Sequence, residues 1–121
     1  MVRTLPTQSK LILFAVLLQE KHNTKAGVAG AITTGEVYEI YKELCKKTRA
    51  DSLTQRRVAD LISELDMLGI ITARVISKGR YGRTREIKIS SSSEDIMKLL
   101  QEDEVFKELS NYKIRGQTRL I

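Results

Sequence analysis

The segment Lys78–Arg85 contains the residue types and spacing that most clearly indicate binding chemistry. Its eight residues, Lys78-Gly-Arg-Tyr-Gly-Arg-Thr-Arg85, include four cationic side chains, one aromatic ring and two glycines. Lysine and arginine neutralise phosphate groups, and glycine lets a backbone approach a ligand closely. Runs of alternating apolar and polar residues flank the segment, as in the strands of a β-hairpin. The pattern predicts a hairpin tip that presents positive charge to a polyanion.

Seven residues of this segment, called the wing segment below, are candidate contacts with nucleic acid. The cations would neutralise phosphates, and Arg80 or Arg83 would enter a minor groove, where a narrow groove concentrates negative potential. The tyrosine would lie against sugars or donate to a phosphate, unless its ring folds back on the hairpin. A solvated hairpin or a protein-binding surface is the alternative interpretation. The candidates are Lys78, Gly79, Arg80, Tyr81, Gly82, Arg83 and Arg85.

A second candidate site lies at the start of a helix predicted over about 53–68. Its residues are Thr54, Gln55, Arg56 and Arg57. Such a helix presents its first side chains to base edges in the major groove, where arginine bonds guanine and glutamine bonds adenine. The unpaired N–H groups of a helix start also attract phosphate. Alternatively, the two arginines are solvated charges on an amphipathic helix.

Capping signals and an apolar stripe define this helix. Ser52 with Gln55 predicts a capping box, and Gly69 suits the C-terminal end. The stripe recurs at helical spacing and consists of Val58, Leu61, Ile62, Leu65 and Leu68. The preceding connection carries Lys46, Lys47 and Arg49, which would contact backbone phosphates or form a solvated turn.

Two further helices are predicted before that connection. Leu11–Leu18 is apolar on all sides, which indicates a central, buried helix. Thr33 with Glu36 predicts a capping box at the start of the next helix, in which Tyr38 and Tyr41 are core or core-edge residues. The predicted helices cover about 7–21 and 34–47, with a loop at 22–30 between them.

The elements around and after the wing segment complete the predicted fold. Ile71, Ala73 and Val75 alternate with polar residues on a first predicted strand. Ile87 and Ile89 are the corresponding apolar residues on the second. A fourth helix over about 94–109 has the apolar set Ile96, Leu99, Leu100, Val105 and Phe106. The prediction is a mainly α domain with a small β-hairpin, a winged helix-turn-helix. It forms a single domain over 1–121, with a core at about 7–109 and a tail at 110–121.

Charge is distributed unevenly along the chain, whose net charge is +6. Between Arg74 and Lys88 there are six basic residues and one acid, whereas between Glu94 and Glu108 there are six acids and two lysines. We interpret the acidic run Glu102–Glu104 as a solvated helix face. A basic patch opposite an acidic helix favours nucleic acid as partner.

Several classes of function are excluded by the same sequence. One cysteine, Cys45, permits no intrachain disulfide and lies on an apolar stripe as a core thiol. With one histidine, His22, the chain lacks the ligands of a usual zinc site, and no phosphate-loop motif follows Gly27 or Gly30. The longest apolar run is too short for a membrane span. We therefore expect neither catalysis, nor a metal, nor a membrane partner.

These segments in combination resemble the C-terminal domain of archaeal origin-recognition and cell-division-control replication initiators. The resemblance covers roughly positions 33 to 90. It rests on Gly35-Glu-Val-Tyr-Glu-Ile-Tyr-Lys-Glu-Leu-Cys45, Leu53-Thr-Gln-Arg-Arg-Val58, Glu64-Leu-Asp-Met-Leu-Gly-Ile70 and Ser77-Lys-Gly-Arg-Tyr-Gly-Arg-Thr-Arg-Glu86. It implies a winged-helix domain that binds double-stranded DNA at replication origins, with the recognition helix in the major groove and the wing on the minor groove or backbone.

In that family the domain follows an ATPase module of the AAA+ type, whose signatures this sequence lacks. The chain is therefore either a domain taken from a longer protein, which we favour, or a stand-alone relative. The resemblance implies ATP and magnesium only in the ATPase part and no cofactor in this chain. It also implies a cytoplasmic, nucleoid-associated location, with initiator or helicase-loading proteins as further partners. Two alternatives stay open: a transcription regulator of the same fold, and a winged-helix module that docks other proteins.

Overall fold

The computed structural model describes residues 4–27, 32–77, 83–90 and 93–107. The elements are α1 (Thr7–Ala26), β1 (Ile32–Thr33), α2 (Thr34–Thr48), α3 (Gln55–Met67), β2 (Ile71–Ser77), β3 (Arg83–Ile89), α4 (Ser93–Gln101) and α5 (Glu104–Lys107). The strands form one antiparallel sheet in the order β1-β3-β2. The predicted mainly helical winged helix is confirmed, with β1 as a strand that the pattern did not predict.

Helix α1 forms the centre of the core. Every residue from Leu11 to Leu17 is buried, as a segment that is apolar on all sides requires. The helix continues past the predicted end and reaches Ala26, so the expected loop at 22–30 was wrong for its first half. The extra turns contain no helix breaker, and the Gln19 amide donates to the Asn23 side chain at 2.9 Å. Gly27 follows with φ of +70°, a left-handed conformation suited to a helix end.

Helix α2 confirms the capping prediction. The Thr33 hydroxyl accepts from the Glu36 backbone N–H, and the Glu36 carboxylate accepts from the Thr33 N–H at 3.0 Å. The helix ends at Thr48, and Arg49 is its C-cap, with φ of 58° and a backbone N–H that donates to the carbonyls of Cys45 and Lys46. Its buried face consists of Val37, Ile40, Tyr41, Leu44 and Cys45.

The hairpin of β2 and β3 joins the core at its base and leaves it further along. Ile71 and Ile87 are fully buried, and β1 covers the inner end of β3 by pairing Ile32 with Ile87. Val75 lies on the same face of β2 as Ile71, yet it is 61% exposed. The prediction of a half-buried strand is therefore wrong at Val75, because the hairpin there extends beyond the helices that cover its base.

The C-terminal part is two helices rather than the predicted single one. A break after Gln101 separates α4 from α5, and it brings Asp103 within 3.0 Å of the Lys10 ammonium. This ion pair corrects the interpretation of the acidic run as a solvated face, because Asp103 binds α1. Phe106 is fully buried against Phe14, with the two rings edge to face and 5.4 Å apart. The predicted tail at 110–121 lies outside the described residues.

Candidate nucleic-acid interface

The first turn of α3 places the four predicted side chains together at one exposed helix end. The N-cap is Thr54, whose hydroxyl accepts from the Arg57 backbone N–H at 3.3 Å. The capping box predicted from Ser52 and Gln55 was wrong. Gln55 is the first helical residue, so it lies too early to reach back to a cap, whereas Arg57 occupies the position three residues after Thr54.

Thr54, Gln55, Arg56 and Arg57 are all exposed, whereas Val58 directly after them is fully buried. The Arg57 guanidinium lies 3.8 Å from the Asp60 carboxylate, a long and exposed ion pair that restrains it only weakly. The start of α3 thus offers cationic and amide side chains, together with the partial positive charge of a helix N-terminus. This is suitable chemistry for phosphate and base edges.

The opposite end of α3 departs from its predicted stripe. Val58, Leu61, Ile62 and Leu65 are buried as expected. Leu68 is 44% exposed, because the helix ends at Met67 and Leu68 occupies the C-cap. Gly69 follows with φ of +78°, and the chain turns there towards β2.

The connection between α2 and α3 is bound by side chains from two helices. The Tyr41 hydroxyl accepts from the Leu53 backbone N–H at 2.9 Å and donates to the Gln8 side-chain oxygen. The Gln8 amide donates to the Asp51 carbonyl at 2.8 Å, and the Tyr38 hydroxyl donates to the Leu53 carbonyl at 3.4 Å. These contacts fix the segment immediately before Thr54.

Tyr41 is fully buried, and burial raises its pKa to about 12. Its hydroxyl therefore stays protonated at neutral pH and can donate and accept at once. The sequence predicted both tyrosines as core or core-edge residues, which is confirmed, but it gave no account of their hydroxyls. The available signal was a pair of aromatic residues with polar tips on one buried helix face, directly before a polar turn.

The structure describes the base of the wing segment. Strands β2 and β3 are paired from Ile71 with Ile89 to Ser77 with Arg83, which brings the ends of the intervening segment together. Lys78, Gly79, Arg80, Tyr81 and Gly82 lie outside the described residues. Arg83 belongs to β3 by its backbone, and its side chain is not described.

Arg85 is the one wing residue whose side-chain contact is described. Its guanidinium Nη1 donates to the backbone carbonyl oxygen of Ala59 in α3, at 3.0 Å. The Arg85 side chain is thus directed towards α3. On the neighbouring rung, Arg74 pairs with Glu86, and the Glu86 carboxylate lies 3.4 Å from the Lys88 ammonium.

The described residues contain no group of three or more histidine, cysteine, aspartate or glutamate side chains placed to bind a metal ion. Within the same ranges, none of the helices combines the length and apolarity that a membrane span needs. Cys45 is buried in α2, as predicted, and burial raises the pKa of its thiol.

Comparison with known proteins identifies a family and several relatives of the chain. The family model of the CDC6 C-terminal winged helix domain matches residues 1–99. The chain is 61% identical over 102 residues to ORC1-type DNA replication protein 4 of Haloarcula marismortui, covering 84% of this chain and 18% of that protein. It is 52% identical over 112 residues to ORC1-type DNA replication protein 1 of Methanosarcina mazei, covering 93% of this chain and 26% of that protein.

Solved structures are also similar over most of the chain. The Aeropyrum pernix ORC1 protein in complex with DNA superposes with a TM-score of 0.80 and 42% identity, over 89% of this chain and 27% of that one. The chain thus spans between 18% and 27% of the length of these three relatives.

Proposed function

Because the chain belongs to the family of CDC6 C-terminal winged helix domains, we propose that it binds double-stranded DNA at replication origins as part of a replication initiator. The Aeropyrum pernix ORC1 protein, at 42% identity, is in complex with DNA, which supports DNA as the partner. The observation that carries the proposal is the exposed first turn of α3, where Gln55, Arg56 and Arg57 follow a connection held by the partly buried hydrogen bonds of Tyr38 and Tyr41.

The proposed geometry places the start of α3 in a major groove. The groove admits one helix, and the side chains of the first turn meet its floor. Arg56 and Gln55 would bond base edges and select sequence. The Thr54 hydroxyl is already bonded to the Arg57 N–H, so we assign Thr54 to the backbone contact and to capping rather than to base readout.

The wing segment would lie along the adjacent minor groove or phosphate backbone. Lys78, Arg80 and Arg83 would supply the positive charge for this contact. Tyr81 would place its ring against sugars, and the two glycines would let the backbone come close to the DNA. Arg85 is set apart from these residues, because its guanidinium donates to α3.

The remaining parts of the proposal concern the longer protein. An ATPase part, with ATP and magnesium, would lie in the portion of the relatives that this chain does not span, and this chain would bind DNA without a cofactor. Other initiator or helicase-loading proteins would be further partners. A protein of this function would be found in the cytoplasm, on the nucleoid.

Footprinting on duplex DNA tests the class of function and the geometry of DNA binding together. Fragments selected by the chain from a random library would be footprinted with reagents for each groove, at about 50 mM salt. We expect protection of a major groove and the adjacent minor groove in one short window. Absence of affinity at that salt concentration would favour the protein-docking module, and a stable dimer by light scattering would favour the transcription regulator.

A further inference from the structure

Arg85 lies where the hairpin leaves the core. Two rungs further in, on the same face of the hairpin, Ala73 pairs with Ile87, which is fully buried. Arg85 itself pairs with Val75, which is 61% exposed. Apolar packing therefore ends at this rung, and the outer part of the hairpin needs another contact to fix its direction.

The hydrogen bond from Arg85 to Ala59 supplies that contact. The guanidinium Nη1 lies 3.0 Å from the Ala59 carbonyl oxygen, in a partly buried position. The Ser63 hydroxyl donates to the same oxygen at 3.2 Å. Ala59 is about one helical turn beyond Gln55, so the hairpin is attached to α3 close to its exposed start.

We propose that Arg85 is a positioning residue, which fixes the direction of the wing segment relative to the first turn of α3. A planar guanidinium constrains orientation as well as distance when it donates to a carbonyl. Two elements that bind one duplex together lose less freedom on binding when their relative geometry is already set. Arg85 thus acts through the wing rather than by neutralising a phosphate.

The test in the free protein compares Arg85→Met with Arg74→Met. Methionine keeps much of the apolar stem of arginine and removes its charge and donors. Arg74 is the matched control, because it is exposed and pairs with Glu86 on the neighbouring rung of the same hairpin. We expect ¹⁵N order parameters at Ile76, Ser77 and Arg83 to fall below about 0.6 in Arg85→Met and to stay near about 0.85 in Arg74→Met. Equal values in the two variants would overturn the proposal.

The second measurement uses DNA and rests on the proposed function. Loss of one phosphate contact makes the slope of log K against log salt less negative by about 0.9. We expect Arg85→Met to flatten the slope by more than this, because several wing cations lose their alignment together. A change of about 0.9 with unchanged order parameters would instead make Arg85 a phosphate contact and refute the positioning role. If neither variant nor parent binds DNA, the proposed function fails, while the order parameters still decide this inference.

Discussion

At the scale of single residues, the first turn of α3 divides the proposed contacts by what each side chain is already bonded to. The Thr54 hydroxyl caps the helix, and the Arg57 guanidinium lies within 3.8 Å of Asp60. Gln55 and Arg56 are exposed on the same turn. Base selection should therefore depend mainly on Gln55 and Arg56, whereas Arg57 should contribute chiefly charge.

Replacing Arg56 or Gln55 by alanine should weaken binding selectively. Each bidentate contact with a base discriminates by about 1–3 kcal/mol. We expect a loss of that size on DNA selected by the parent chain and little change on random duplexes, measured by fluorescence anisotropy. Lys98→Ala, which removes an exposed charge from α4, is the control and should leave both affinities unchanged. Equal losses on both kinds of DNA would refute base readout by this helix.

At the scale of elements, the position of α3 depends on the polar contacts of the connection before it. Apolar packing of Val58, Ile62 and Leu65 fixes which face of α3 is buried. The bonds from Gln8, Tyr38 and Tyr41 determine where the chain enters the helix. The stability of the domain and the placement of its proposed base contacts are therefore linked through Tyr41.

Removal of the Tyr41 hydroxyl should destabilise the fold. Tyr41→Phe leaves the partly buried Leu53 N–H without its partner. We therefore expect a loss towards the lower end of the about 1–3 kcal/mol that an unpaired buried donor costs. Urea denaturation followed by circular dichroism measures the loss. Tyr38→Phe is the matched control: its bond is longer, at 3.4 Å, and its side chain half-buried, so we expect at most about 1 kcal/mol. A larger effect from Tyr38 than from Tyr41 would contradict this account of the connection.

The raised pKa of Tyr41 predicts a loss of stability at alkaline pH. Burial moves the pKa from 10.0 to about 12 in the folded protein, so the unfolded chain loses its proton first as pH rises. The stabilisation by the neutral phenol is complete below pH 10 and falls as pH rises from 10 to 12. The unfolding free energies of the parent and of Tyr41→Phe should therefore differ most below pH 10 and converge above it. A constant difference in unfolding free energy across this range would argue against the shift.

Apolar periodicity predicted α1, α2 and α3 and most of the residues that they bury, because burial of these helices follows a pattern visible in the chain. The ends were harder to predict. Ser52 and Thr54 are both plausible caps, and only the fixed connection selects Thr54. The break between α4 and α5 places Asp103 beside Lys10, which is distant from it in sequence. The Arg85 contact with Ala59 likewise joins residues whose proximity is set by the folded hairpin.

At the scale of the whole molecule, the two charge regions are attached to different parts of the core. Arg74, Arg83, Arg85 and Lys88 belong to the strands of the hairpin, whereas Glu94 and Asp95 are exposed on α4. Such polarity would orient the domain as it approaches a polyanion and raise the association rate at low salt. The ion pair of Lys10 with Asp103 keeps part of the acidic run against α1.

The salt dependence of binding should report the number of phosphates neutralised. About six contacts would give a slope of log K against log salt near −5. The double substitution of Arg80 and Arg83 by alanine should weaken binding to all sequences and flatten the slope by about 1.8. A titration between about 50 and 200 mM salt measures both quantities. An unchanged slope would show that the wing segment does not contact the phosphates of the DNA backbone.

The burial of Cys45 has a practical consequence. It is the only cysteine of the chain, its side chain is 2% exposed, and burial raises the pKa of its thiol. Thiol reagents attack the thiolate, so the native protein should react slowly with maleimides. Met67, at the far end of α3 from the proposed base contacts, is 86% exposed. A cysteine introduced there would carry a fluorescent or spin label at a single position, from which distances to a labelled duplex would give the direction of the helix.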